Sequence, residues 1–187
     1  EALKDTIIST RRDIHKHPEL AFDEHRTSNL IAEKLSSLGI EIQIGVGKTG
    51  VVGTLQGKDD GKTIALRADM DALPIQETSD IAYKSQNDGI MHACGHDGHT
   101  AMLLGTAEAL SNISDKLNGT VKFFFQPAEE GQGGARYMIK DGVLDGVDEA
   151  YGIHLWNYQK YGTVGVQPGP IMAAADIFEI TIKGKGG

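Results

Sequence analysis

The sequence of 187 residues carries 26 acidic and 18 basic side chains, which gives a formal net charge of −8 at pH 7. A surface with this excess of negative charge repels phosphate backbones, so nucleic acid is not expected as a partner. The apolar stretch at 101–110 is interrupted by Glu108 and is too short to cross a bilayer, so no membrane association is expected.

The first part of the chain is predicted to form two helices and three strands. Leu3, Ile7 and Ile14 are spaced for one helix face, and Pro18 ends this helix because the residue before a proline avoids helical geometry. Alternating or short continuous apolar runs predict the strands. The predicted helices cover 3–17 and 27–38, and the strands cover 40–44, 51–55 and 63–68.

The remainder of the chain continues this alternation of helices and strands. Helices are predicted at 98–111 and around 137–140, and strands at 120–126, 150–154, 162–166 and 176–183. Strands that alternate with helices over one core predict an α/β layered domain with a mixed sheet.

Several residues with reactive side chains directly follow predicted strands. They are two aspartates, two glutamates and a histidine, namely Asp69, Asp71, Glu129, Glu130 and His154. In open α/β sheets, functional sites form outside the carboxyl ends of the strands. The sequence therefore predicts a site at this edge of the sheet.

The densest group of potential metal ligands is the segment 92–99, which holds three histidines, one cysteine and one aspartate. If its start is extended, His92, Cys94 and His96 share one side; if its end is helical, His96 and His99 do. A polar loop with a buried cysteine is the alternative. Cys94 is the only cysteine, which excludes an intrachain disulfide and favours a reducing compartment, so we predict a cytoplasmic protein.

The other candidates are weaker when each is considered alone. Glu129 and Glu130 could form a solvated turn, although the apolar strand before them favours a position at the edge of the core. Asp69 and Asp71 are two residues apart, so an extended chain puts both carboxylates on one side; a structural turn fits equally well. A single histidine near a strand end, such as His154, is more often a packed residue than a ligand.

Taken together, these motifs resemble the aminoacylase/carboxypeptidase family of co-catalytic metallohydrolases. The similar branch contains hippurate hydrolases, N-acyl-L-amino-acid amidohydrolases and auxin-conjugate hydrolases. The resemblance extends over nearly the whole chain in the order of the family. It rests on His15 to Leu20, RADMDALP (67–74), HACGHDGH (92–99), QPAEEG (126–131), GIHLW (152–156) and GPIMAAAD (169–176).

The resemblance implies two divalent metal ions per subunit in the full-length enzyme, either zinc, manganese, cobalt or nickel. It implies that Cys94, His96, Glu130 and His154 are metal ligands and that Glu129 is the general base. Asp71 matches a carboxylate that orients the site. Other branches of the family have a histidine ligand at the position of Asp69, so that residue is expected at most to support the ligands.

The resemblance also implies a fold and a domain organisation. Residues 1–174 are expected to form the N-terminal part of a three-layer α/β/α, zinc-exopeptidase-like catalytic domain with a mixed, twisted sheet. Residues 175–187 are expected to begin an inserted α+β lid, through which the full-length protein forms a homodimer. Relatives supply one further ligand histidine and a substrate-binding lid histidine beyond the matched segments, so the 187 residues are expected to bind metal weakly in isolation.

The predicted reaction is hydrolysis of the amide bond of an N-acyl amino acid by a metal-activated water, with a small-molecule N-acyl amino acid or peptide as substrate. A dipeptidase or carboxypeptidase of the same family is one alternative. A second makes Cys94 a nucleophile paired with His96. A third is a metal-binding fragment without catalytic competence.

Overall fold

The computed structural model describes residues 3–174 and 176–186. This part of the chain contains four helices, α1 to α4, and five strands, β1 to β5, with a short 3-10 turn at Ser114–Lys116. Their bounds are α1 Lys4–Lys16, α2 His25–Ser37, β1 Glu41–Val46, β2 Gly50–Gln56, β3 Asp59–Asp69, α3 His96–Ser111, β4 Asn118–Gln126, α4 Gly134–Lys140 and β5 Glu149–Gly152.

The five strands form one mixed sheet in the order β1-β2-β4-β3-β5. The β1-β2 and β2-β4 pairs are antiparallel, whereas β3 is parallel to both β4 and β5. Asp69 pairs with Gln126 and Arg67 with Gly152, so the carboxyl ends of the three parallel neighbours meet at one edge. The predicted mixed sheet is confirmed.

Helices cover both faces of the sheet because successive residues of a strand point to opposite faces. Phe123 and Phe125 of β4 join the larger core, which includes Ile31 and Leu35 of α2 and several residues of α3. Phe124 lies on the other face and packs with Met138 of α4 in a smaller cluster. The expected three-layer α/β/α arrangement is therefore present.

Several element boundaries differ from the predictions. Strand β3 begins at Asp59 rather than at 63, α2 begins at His25, and β5 ends at Gly152, so His154 follows the strand instead of ending it. The strands predicted at 162–166 and 176–183 do not form within the described residues. Their apolar side chains are exposed, including Val166 at 86% and Ile177 at 99%, and a strand persists only where a neighbour pairs with its backbone.

The chain divides into two compact units, Glu1–Leu155 and Trp156–Gly187. The first contains the sheet and all four helices, and the second has no helix or strand among its described residues. Residue 175, where the second domain is predicted to begin, lies outside the described residues, and that boundary stays a prediction. No helix in the described part of the chain is long and apolar enough to cross a membrane.

Candidate metal centre

The segment directly after strand β3 supplies a buried carboxylate that organises the loop after β4. Asp71 is 1% exposed, and its Oδ1 and Oδ2 atoms accept hydrogen bonds from the backbone N–H groups of Glu129 and Glu130, both at 3.0 Å. Its Oδ1 atom also lies 3.3 Å from Nδ1 of His96. One carboxylate thus orients three of the residues predicted to act at the site.

The first residue of helix α3 brings an imidazole into the centre of this group. Gly95, which precedes the helix, has a φ of 98°, a conformation that glycine adopts without a Cβ clash. His96 follows it and is 1% exposed. Its Nε2 atom lies 3.8 Å from Oε1 of Glu130 and 3.6 Å from Oδ2 of Asp69.

Cys94 and His154 lie close to His96 and to each other. The Sγ atom of Cys94 lies 3.4 Å from Nε2 of His154. The segment after β5 packs closely against helix α3. A Cβ at Gly98 would lie only 2.5 Å from Cδ1 of Leu155. The absence of a side chain at Gly98 therefore lets the residues after β5 reach the centre.

His99 uses both ring nitrogens in hydrogen bonds within the protein. The Leu155 N–H donates to Nε2 at 2.9 Å, so Nε2 carries no hydrogen and Nδ1 must be the donor to Oδ1 of Asp69, at 2.6 Å. Burial alone would raise the pKa of Asp69, but the His99 hydrogen bond and the Arg67 charge lower it to about 2. Asp69 is thus a charged acceptor that sets the tautomer of His99.

Among the described residues, three overlapping groups of side chains have potential ligand atoms within 4.8 Å of one another, and His96 belongs to all three. They are Cys94-His96-His154, His96-Glu129-Glu130 and Asp69-His96-His99. The first two contain the four predicted ligands and the predicted base. In the third, the ring nitrogens of His99 are already engaged, which leaves His99 as a support.

The donor set fits divalent metal ions. The Nε2 atom of His96 and the Oε1 atom of Glu130 are buried and have no hydrogen-bond partner among the described residues. Buried polar atoms are rarely left in this state. Imidazole, carboxylate and thiolate are ligands that zinc and related ions prefer, so a cation between these atoms would satisfy them.

The electrostatics of the centre also favour a cation. Burial raises the pKa of the Cys94 thiol to about 12, and the neighbouring Glu130 carboxylate contributes in the same direction. Burial, followed by the charges of Glu130 and Asp69, raises the pKa of Glu129 above its usual range. Negative groups that destabilise one another's charge are stabilised together when a metal ion binds.

The same observations weigh against Cys94 as a nucleophile. Reactive cysteines have a lowered pKa, because the thiolate is the attacking species. Here burial, followed by the nearby carboxylate of Glu130, raises the pKa of the thiol. Its Sγ atom lies 3.4 Å from Nε2 of His154, whereas that alternative pairs it with His96.

Two buried carboxylates near the centre make contacts that the sequence did not predict. Asp97 is completely buried and contacts Arg11 and His15 through its Oδ2 atom, both at 2.8 Å. Glu24 is also completely buried and accepts the Ala128 N–H at 2.8 Å. Asp97 lies inside the histidine-rich segment 92–99 and was counted there as a potential ligand. Glu24 lies in a polar segment that is typical of an exposed helix start, so no local signal indicated its burial.

Residues 65–186 match the model of peptidase family M20/M25/M40. The chain belongs to this family. Thermostable carboxypeptidase 2 of Saccharolobus solfataricus is 53% identical over 188 residues, which cover 99% of this chain and 48% of the relative. An N-acyl-L-amino acid amidohydrolase of Geobacillus stearothermophilus is 49% identical, and the match covers 100% of this chain and 51% of the relative.

A solved structure of an M20 family member agrees with the fold. The protein, described as a dinuclear metal-binding peptidase of Bacillus subtilis, aligns with a TM-score of 0.87 at 48% identity, over 90% of this chain and 48% of that one. The family resemblance predicted from the motifs is confirmed. The chain spans about half the length of the curated relatives it matches.

Proposed function

We propose that the full-length protein is a metal-dependent hydrolase that cleaves the amide bond of N-acyl amino acids. The observation that carries this proposal is the sharing of His96 between the Cys94-His154 pair and the Glu129-Glu130 pair. Together these groups offer the mixture of imidazole, thiolate and carboxylate that divalent metal ions bind. The M20 relative described as binding a dinuclear metal centre supports the same conclusion.

In this proposal Cys94, His96, Glu130 and His154 hold the ions, while Asp71 orients His96 and the loop of Glu129. When bound, divalent ions supply a water of lowered pKa and polarise a carbonyl oxygen. Zinc, manganese, cobalt and nickel all fit this mixture of ligands. Asp69 acts indirectly, since its carboxylate holds His99, and His99 holds the backbone beside His154.

Glu129 is assigned the transfer of the proton. Its backbone is fixed by Asp71, whereas its side chain is exposed at the rim of the centre, where substrate can reach it. Its raised pKa suits a group that accepts a proton from water and later donates it, because general catalysis works best with a pKa near the working pH. Glu129 takes the proton as the water attacks the acyl carbon and passes it to the departing amine nitrogen.

The substrate class follows from the relatives. One is named an N-acyl-L-amino acid amidohydrolase and another a carboxypeptidase. Both names describe cleavage of an amide bond next to an amino acid, so an N-acyl amino acid is the favoured substrate. A dipeptide or the end of a peptide is the second candidate, supported by the carboxypeptidase at 53% identity.

Three further features of the whole protein are proposals that rest on the sequence. They are a homodimer formed through the lid expected from residue 175 onward, a cytoplasmic location, and weak metal binding by these 187 residues in isolation. The location is supported by the single cysteine, whose assigned role requires a free thiolate. Gel filtration of the full-length protein tests the first, and zinc titration of the 187 residues tests the last.

The decisive experiment is removal and restoration of metal on the full-length protein. Chelator treatment should abolish hydrolysis of N-acetyl, N-benzoyl and N-succinyl amino acids and of dipeptides, and added zinc, manganese, cobalt or nickel should restore it. Activity that survives complete metal removal would overturn the proposal and favour Cys94 as a nucleophile. Metal binding without hydrolysis of any substrate in the series would favour a metal-binding module.

A further inference from the structure

Glu24 is a carboxylate buried where a charged side chain is costly. It directly precedes helix α2, yet its exposed fraction is 0%, and its burial raises its pKa. Removing a carboxylate from water is unfavourable unless hydrogen bonds replace the lost hydration. The Thr49 hydroxyl donates to its Oε2 atom at 2.5 Å and the Ala128 N–H donates to its Oε1 atom at 2.8 Å.

Ala128, the backbone partner of Glu24, has an unfavourable conformation. Its φ is +50°, in the left-handed region, which is unfavourable for an alanine. Both backbone groups of Ala128 are engaged: the N–H by Glu24, and the carbonyl oxygen by the Gly134 N–H at 2.9 Å. These two contacts hold the residue in a conformation that it would otherwise leave.

The next two residues are the proposed base and a proposed ligand. The N–H groups of Glu129 and Glu130 donate to Asp71. Together with the Ala128 N–H, which donates to Glu24, three consecutive backbone N–H groups are therefore bound by two buried carboxylates. Asp71 fixes the position of the last two, and Glu24 fixes the turn at Ala128 from which both side chains depart.

We infer that Glu24 is a positioning residue that holds the turn at Ala128 so that Glu129 and Glu130 face the metal centre. This inference rests on the proposed function and deepens it, because it names a residue outside the centre on which both metal affinity and turnover depend. Glu24 contacts neither metal nor substrate and acts only through the backbone of the loop.

Glu19 provides a matched control in the same segment. Its two carboxylate oxygens accept the backbone N–H groups of Arg26 and Thr27 at the start of helix α2, both at 2.8 Å. It is therefore also a carboxylate that accepts backbone hydrogen bonds, but it holds the helix and not the loop of Glu129. A change at Glu19 measures what the loss of such an anchor does to the fold alone.

The test compares Glu24→Gln with Glu19→Gln in the full-length protein. Zinc affinity is measured by competition with a chromogenic chelator, and kcat and KM are measured on the best N-acyl amino acid. Glu24→Gln should weaken zinc binding about 10- to 100-fold, as other residues that orient ligands do. It should lower kcat about 10²-fold with KM little changed, because small misplacements of reacting groups carry this cost. Glu19→Gln should leave zinc affinity and kcat at the wild-type level.

A rescue variant separates positioning from a general loss of structure. Glycine adopts the left-handed region as readily as the right-handed one, so Ala128→Gly in the Glu24→Gln background should restore part of the zinc affinity and of kcat. In the Glu19→Gln background the same change should raise neither zinc affinity nor kcat. Rescue in neither background, with equal losses in both single variants, would overturn the inference.

A second variant covers the case in which Glu24→Gln does not fold. Thr49→Val removes one hydroxyl donor to Glu24 and keeps the shape of the side chain, and it should lower zinc affinity and kcat in the same direction by a smaller factor. Wild-type affinity and kcat in Thr49→Val, or in a folded Glu24→Gln, would refute the role of Glu24. A wild-type protein that neither binds zinc nor hydrolyses any substrate would instead refute the proposed function.

Discussion

The Nδ1 atom of His99 lies 2.6 Å from the Oδ1 atom of Asp69, and this contact determines which nitrogen of the imidazole carries the hydrogen. The other nitrogen, Nε2, accepts the Leu155 N–H at 2.9 Å, one residue after His154. The rings of His99 and His154 are in edge contact, with centroids 4.5 Å apart. The side chain of His99 therefore connects the end of strand β3 to the segment that carries His154.

Replacement of His99 should weaken metal binding without removing a ligand. In His99→Ala the Leu155 N–H loses its acceptor and the ring of His154 loses its neighbour, so we expect zinc affinity to fall about 10- to 100-fold. Competition with a chelator measures the change. His17→Ala is the matched control, because His17 contacts Asp13 on helix α1 and should leave zinc affinity unchanged. Unaltered affinity in His99→Ala would show that packing alone holds His154.

Glu129 and Glu130 are adjacent but should respond differently to the same change. Glu129→Gln should keep its metal, because only the proton acceptor is lost, and should lower kcat about 10²- to 10⁴-fold. Glu130→Gln removes a proposed ligand, so it should lose metal content as measured by elemental analysis. Loss of metal in Glu129→Gln with retention in Glu130→Gln would show that the two assignments must be exchanged.

The loop after strand β4 packs against Gly134 so closely that no space is left for a side chain at that position. A Cβ at Gly134 would lie 1.8 Å from the carbonyl oxygen of Pro127, a backbone atom that cannot move away cheaply. Overpacking of this kind costs about 1–3 kcal/mol or more, so Gly134→Ala should lower the free energy of unfolding by at least that amount and weaken metal binding. Gly184→Ala is the control, since nothing lies within 4 Å of its Cβ position. Chemical denaturation with and without zinc measures both effects.

The sheet and its active edge could be predicted because each depends on local sequence patterns. Apolar alternation places Phe123 and Phe125 in one core, and the carboxylates that follow β3 and β4 meet because parallel strands end at a common edge. Which residues of 92–99 meet the other candidate residues was not predictable from spacing. It depends on contacts made 30 to 60 residues away, such as Asp69 with His99 and Cys94 with His154.

Other features could not be predicted from the sequence for physical reasons. The burial of Glu24 depends on Thr49 and on Ala128, which is 104 residues away along the chain, and no local pattern reports such contacts. The apolar alternation at 176–183 predicts a half-buried strand, but the residues of this segment are exposed on both faces. Alternation alone does not form a strand, however, because the backbone also needs a paired neighbour, and the residues described there have none.

The network beneath the centre predicts a specific dependence of stability on pH. His15 is 3% exposed, with Nδ1 2.8 Å from Oδ2 of Asp97 and Nε2 3.2 Å from Oε1 of Glu77. The hydrogen bond with Asp97, followed by that with Glu77, raises the pKa of His15 against the opposing effect of burial. The other groups that face this network are the guanidinium of Arg11, on Asp97, and the rings of Tyr83 and His92.

Because the folded state raises the pKa of His15 above the value of about 6.5 in an unfolded chain, the folded state holds this proton more tightly. The resulting stabilisation is complete below a pH of about 6.5 and is lost as the pH rises through the raised pKa; each tenfold gain in proton affinity on folding contributes about 1.4 kcal/mol. Urea denaturation at saturating zinc, repeated between about pH 6 and 9, should show this decline in the wild type and in the control His17→Gln. His15→Gln should be less stable at the acidic end of this range and should lack this part of the decline. An identical slope in His15→Gln and wild type would assign the pH dependence to other groups.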